Sequence, residues 1–160
     1  MSFARLIAAL NVAAFGLLSG GMLFIAVSLM TAWHAMPPAE FQSWFAAHSA
    51  RIAVLMLPLG FIPVVLGILG ALLACKTNAR LWALLAAICA LLVVIEYPIF
   101  FAGANARFAG AMMAADELRS LLAQWSAWHW SRTILGLGGF LAAIVALTKL
   151  ASSRAEEATP

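Results

Sequence analysis

The sequence predicts an all-α membrane protein, a four-transmembrane-helix bundle with short outer-face helices. Of its 160 residues 66% are hydrophobic and only 9% charged, and the mean hydropathy is +1.04. A soluble domain of this length cannot hide that much apolar surface, so lipid must be the solvent for most of the chain. The apolar residues also gather into four stretches of about 20, the length a helix needs to cross roughly 30 Å of hydrocarbon.

The first span is expected at about residues 6–32, interrupted only by Asn11, Ser19, Ser28 and Thr31. Arg5 ahead of it resembles a signal-peptide start, but the run continues past Gly20 and Gly21, which favours a retained anchor. The second span is expected at about 52–74, the third at about 81–102 and the fourth at about 133–150. Pro58 and Pro63 should kink the second, and Pro98 the third just after Glu96. Glycines at 16 and 20, at 67 and 70, and at 136, 138 and 139 offer places for close helix approach. Residues 1–151 thus read as one membrane domain, and 152–160 as a polar tail.

Between the second and third spans, residues 75–80 form a tight, basic turn. Arg5, Lys76, Arg80, Lys149 and Arg154 fall on that side, against Arg51, Arg107, Arg119 and Arg132 on the other. The second group is accompanied by Glu40, Asp116 and Glu117. The positive-inside rule then puts both termini in the cytoplasm, with the chain multi-pass in the cell (inner) membrane. No Lys/Arg run of the nucleic-acid-binding kind exists. Cys75 and Cys89, the only cysteines, lack metal or redox spacing and read as small buried hydrophobes.

The outer connections carry the aromatic residues. Pro37 and Pro38 stop the first span and suit the start of a short helix, in which Phe41, Trp44, Phe45 and His48 share a face. In the second connection Asp116 is placed to cap a helix on which Leu118, Leu121, Leu122, Trp125, Trp128 and His129 keep helical spacing, and which can flow into the fourth span. Five of the six tryptophans, Trp33, Trp44, Trp125, Trp128 and Trp130, lie at this end. An aromatic belt explains each alone, whereas the asymmetry favours some lining a pocket for a flat ligand.

Glu96, roughly 9 Å below the outer end of its span at 1.5 Å per residue, needs a partner at that depth. Arg132 is the obvious cation, with His129 and Thr133 on the same face. Three readings follow from His34, His48, Glu96, His129 and Arg132. One is an architectural Glu96–Arg132 pair without chemistry. Another is haem or a transition metal held through His34, His48 and His129. The third is acid–base work on a bound organic molecule. Electron transfer and a non-catalytic accessory subunit are the corresponding alternatives to an enzyme.

The run Trp-Ser-Ala-Trp-His-Trp-Ser-Arg-Thr from Trp125 to Thr133 resembles the anthrone oxygenase-like family of small four-span membrane proteins. Pro37, Pro38, Glu40 and Phe41, after a Gly-rich first span, look like that family's first outer loop. The resemblance implies oxidation by O2, without a cofactor, of a hydrophobic anthrone- or quinol-like aromatic. It implies His129 as base or hydrogen-bond donor, Arg132 as partner of the developing oxyanion and Glu96 as the residue setting the imidazole's protonation. Trp44, Trp125 and Trp128 would be stacking walls, with His34, His48 and Asn105 as further substrate contacts. The expected partners are the lipid bilayer and a small aromatic substrate, with a homo-oligomer left open.

Overall fold

The computed structural model describes residues 2–156. Four long helices make up the chain: α1 (Phe3–Ala35), α2 (Pro38–Leu73), α3 (Arg80–Ala109) and α4 (Ala115–Glu156). All four are long and apolar enough to cross a membrane. Each packs beside its chain neighbours and α4 closes back on α1, so the diagonal pairs barely touch. The result is an all-α membrane bundle.

At 1.5 Å per residue, helices of 30 to 42 residues are roughly 45–63 Å long, well beyond the hydrocarbon core. The excess lies mainly at the end remote from both termini, the outer end in the orientation the charges predict. There the segment from Ala115 flows into the fourth span, as its spacing allowed, and the segment from Pro38, expected as a short helix of its own, runs unbroken into the second. Asp116 sits in the first turn of α4 rather than capping it. The same helix continues through Glu156, so the tail read as beginning at 152 is helical that far, and residues 157–160 lie outside the described residues.

Side-chain size sets the shape of the bundle. Ala71, Ala83 and Ala146 pack together at the inner end, and Ala86, Ala90, Ala142 and Ala143 join Phe15, Leu18, Met22 and Val93 in the middle. Small residues let backbones approach where lipid provides no hydrophobic drive. A methyl on Gly67 would come within 3.0 Å of the Ala87 Cα, and one on Gly139 would strike the Phe15 ring. Gly20 and Gly138, by contrast, have nothing within 4 Å. The outer core instead holds Trp33, Phe41, Phe45, Phe101, Phe108 and Trp125, whose bulk holds the helices further apart.

Two π-helical turns interrupt the spans at this wider end, Ile25–Leu29 in α1 and Tyr97–Phe101 in α3. The second is where Pro98 was expected to kink its helix. Proline lacks the N–H for an ordinary helical bond and crowds the carbonyl four residues back, and the widened turn accommodates it. Helix α2 continues through Pro58 and Pro63.

Local bonds secure both ends. At the inner end Arg5 donates to the carbonyls of Leu150 at 3.0 Å and Ala151 at 3.2 Å, joining α1 to α4. The turn after α2 is held by Thr77, whose hydroxyl donates to the Ala74 carbonyl and accepts from the Ala79 N–H. Cys75, read as a buried hydrophobe, is exposed in that turn. At the outer end buried Gln42 accepts from the Met113 N–H at 3.0 Å and donates to the Ala111 carbonyl at 3.2 Å. Arg107 and Glu117 form an exposed ion pair across the same connection.

Candidate functional site

Where the bundle widens, a cavity of about 270 Å3 opens among all four helices. It reaches from Trp33, Phe45 and Trp125 at the outer end to Gly60, Phe61 and Val93 deeper in the span. Most of its wall is apolar. The polar groups are Ser49, Tyr97, Asn105, His129 and Arg132, together with the indole of Trp33. Both π-turns contribute to the wall, through Ile25 and through Tyr97, Pro98 and Phe101.

Contacts from three helices orient His129. It follows Leu118, Leu121, Leu122 and Trp125 along the buried stripe of α4 and is itself 2% exposed. Its ring stacks on Trp125 at 4.9 Å and 11°. Trp125 is fixed in turn by donating its indole N–H to the Asn105 side-chain oxygen at 2.9 Å. His129 Nε2 lies 3.0 Å from the Met22 carbonyl. A carbonyl only accepts, so Nε2 carries a proton and the neutral ring has its lone pair on Nδ1. That Nδ1 is buried and has no hydrogen-bond partner.

Arg132, one turn on, sets its guanidinium over the Phe101 ring at 4.4 Å from the centroid, a cation–π contact. Its Nε is buried without a partner. Trp33 is boxed in by the rings of Phe41, Trp44, Phe45 and Trp125 at 5.3–5.9 Å, and its indole N–H is likewise buried and unpartnered. Buried polar groups are nearly always hydrogen-bonded. Here two donors and one acceptor without partners belong to residues that line the same cavity.

The expected Glu96–Arg132 ion pair does not form. Glu96, 8% exposed, accepts a 2.7 Å hydrogen bond from Ser131 through Oε1, and Oε2 is buried without a partner. Glu96 does not line the cavity and makes no hydrogen bond to His129.

The three histidines do not converge. His34 is exposed and lies 2.9 Å from the Ser126 hydroxyl, which donates to the Leu122 carbonyl and so accepts from the ring. His48 bonds the carbonyl of Trp44 in its own helix at 2.7 Å and stacks on that indole. No group of three His, Cys, Asp or Glu side chains able to hold one metal occurs among the described residues.

Of the aromatic walls named from sequence, Trp125 lines the cavity. Trp44 is engaged with His48, and Trp128 stacks on Phe100 at 5.2 Å and 7°. Asn105 is in the wall. So are Trp33, one of the five outer tryptophans though not singled out as a wall, and Tyr97, which sequence reasoning passed over. A signal existed for Trp33: Met22, Ala26, Met30 and Trp33 form a buried 3–4 stripe on α1. Trp130 is 42% exposed, as an indole anchoring at the membrane interface would be.

Comparison with protein-family models, with curated proteins and with solved structures finds no match. The site is therefore defined by its own chemistry: an apolar cavity with an imidazole whose Nδ1 is unpartnered, an indole N–H and a guanidinium N–H among its lining residues.

Proposed function

We propose that this protein is an oxygenase-like membrane enzyme that binds a hydrophobic anthrone- or quinol-type aromatic in the outer-end cavity and oxidises it with O2. The observation that carries this reading is that three of the six unpartnered buried side-chain polar atoms among the described residues, Trp33 Nε1, His129 Nδ1 and Arg132 Nε, belong to residues lining one cavity. Two donors suit a ring oxygen that gains negative charge, and the acceptor suits the proton that leaves. The stretch from Trp125 to Thr133, which resembles the anthrone oxygenase-like family, supplies two of the three.

For an anthrone the chemistry balances with O2 alone. His129 Nδ1 takes a proton from the ring CH2, and the electron pair spreads onto the carbonyl oxygen held by Arg132 and Trp33. One electron passes to O2, and the two radicals join in a C–O bond. The imidazolium returns its proton to the terminal peroxide oxygen. Removal of the second C–H proton then breaks the O–O bond, hydroxide leaves and takes that proton, and the products are quinone and one water. Electrons flow from substrate to O2, so the chain itself needs only to bind, orient and move protons. Tyr97, Phe101 and Trp125 would flank the rings.

The orientation proposed with this reading puts both termini in the cytoplasm and the cavity near the outer face.

Oxygen uptake by purified protein on anthrone tests the reading. Loss of His129 in His129→Ala should slow turnover about 10²–10⁴-fold, the range of a general base. Arg132→Ala should slow it about 10²-fold or more, as for one oxyanion donor. Uptake unchanged in both variants, or absent from the wild type, would remove the oxygenase reading.

A further inference from the structure

We propose that the cavity is entered sideways from the bilayer through a gap between α2 and α3, and that its ligand is an aromatic head whose aliphatic tail stays in the lipid. This rests on the reading above that the cavity takes a hydrophobic aromatic, and it adds the route and the tail.

The two helices meet at two heights and part between them. Below, a methyl on Gly60 would touch Val94 at 3.8 Å, and Gly67 meets Ala87 more tightly still. Above, Phe41 and Phe45 pack on Phe108 at 5.0 and 5.3 Å. Between these contacts Ala53, Met56 and Leu57 of α2 face Tyr97 and Pro98 of α3 across the cavity. The π-turn Tyr97–Phe101 lies in this interval and widens α3 there.

Exposure tells which wall is open. At the outer end the lining aromatics Trp33, Phe45, Phe101 and Trp125 are no more than 6% exposed, so their packing narrows the route toward water to the edge at half-buried Ser49 and Asn105. On the α2–α3 side Leu57, Phe61 and Ile95 line the cavity and are also 40–54% exposed. A residue that borders both a cavity and the surroundings marks an opening. Leu57 lies six residues beyond Arg51 along α2, roughly 9 Å deeper, so the rim faces acyl chains rather than headgroups.

Size argues for a tail outside. At about 270 Å3 the cavity falls just under the range of about 300–1,000 Å3 typical for whole-ligand pockets. It suits a ring system with its polar substituents set against Trp33, His129 and Arg132. An attached chain would pass between Leu57 and Ile95 into the bilayer, where its methylenes would hold the ligand in the membrane.

The test uses the wild-type chain in phosphatidylcholine vesicles with a hydroquinone carrying a decyl chain tipped by a photoreactive diazirine. After irradiation, peptide mapping should place the label on residues 53–61 of α2 and 94–98 of α3. That labelling should be lost when excess untagged decylhydroquinone is present. Label spread over all lipid-facing surfaces and insensitive to the competitor would overturn the proposal, as would competitor-sensitive label confined to the outer helix ends. Competitor-sensitive rim labelling by a protein that takes up no oxygen on anthrone would leave the side entrance standing and remove only the oxidation reading. Oxygen uptake with label elsewhere would do the reverse.

Discussion

Gly139→Ala and Gly138→Ala, one residue apart, should move stability in opposite directions. Helix α4 passes α1 at Gly139, where a methyl would run into the Phe15 ring and lie 3.0 Å from the Cβ of Cys89. Phe15 is fully buried among Ala86, Val93, Ala142 and Ala143 and cannot retreat. Overpacking of this kind costs about 1–3 kcal/mol, offset by about 0.5–1 kcal/mol of better helix propensity for alanine. The net for Gly139→Ala is a destabilisation of up to about 2.5 kcal/mol, or up to about 70-fold in the folding equilibrium. Gly138 has open space around it, so only the propensity gain of about 0.5–1 kcal/mol applies there. Reversible unfolding by SDS titration in mixed micelles, followed by circular dichroism, reads both. Equal shifts, or a Gly139→Ala variant at least as stable as wild type, would refute the close α1–α4 crossing.

Three further outcomes follow from the bonds described. Gln42→Ala strands the Met113 N–H and the Ala111 carbonyl, so it should cost about 1–3 kcal/mol; hydrogen exchange should rise at Met113 before the rest of the chain. Ser131→Ala leaves buried Glu96 without its donor and should destabilise by a similar amount, whereas the Ser131→Ala, Glu96→Leu double variant should recover most of the loss because no polar atom is stranded. A double variant no better than the single would show that Glu96 serves another partner. With both termini cytoplasmic, a membrane-impermeant maleimide should label exposed Cys75 in inside-out vesicles and spare it in right-side-out ones; the opposite pattern would invert the orientation.

The spans were legible because hydropathy over about 20 residues reports them directly. The aromatic stripe of Phe41 and Phe45 and the run from Leu118 to His129 were readable for the same reason, since a 3–4 spacing marks a buried helix face. Hydropathy windows stop at the first charges, so they clipped helices that continue past Arg51 and Arg132 into an aromatic outer core. The partner of Glu96 was harder to read. Ser131 and Arg132 are adjacent in sequence but about 100° apart around the helix, and the rotation of α4 that decides between them is set by packing along its whole length. Nothing local announces the π-turn at Ile25–Leu29, whereas Pro98 did flag the irregularity in α3. The gathering of His34, His48 and His129 failed because membrane depth fixes height but not facing: the first two point to Ser126 and to their own helix.

The decisive measurement is the affinity of anthrone for the protein in lipid nanodiscs, compared between wild type and Trp33→Phe, which keeps the ring and removes the N–H. If the unpartnered donors hold the ligand's oxygen, losing this one costs about 0.5–1.5 kcal/mol and weakens binding about 2- to 12-fold. Unchanged affinity in Trp33→Phe, or no saturable binding by the wild type, would contradict a cavity built to hold an oxygen-bearing aromatic.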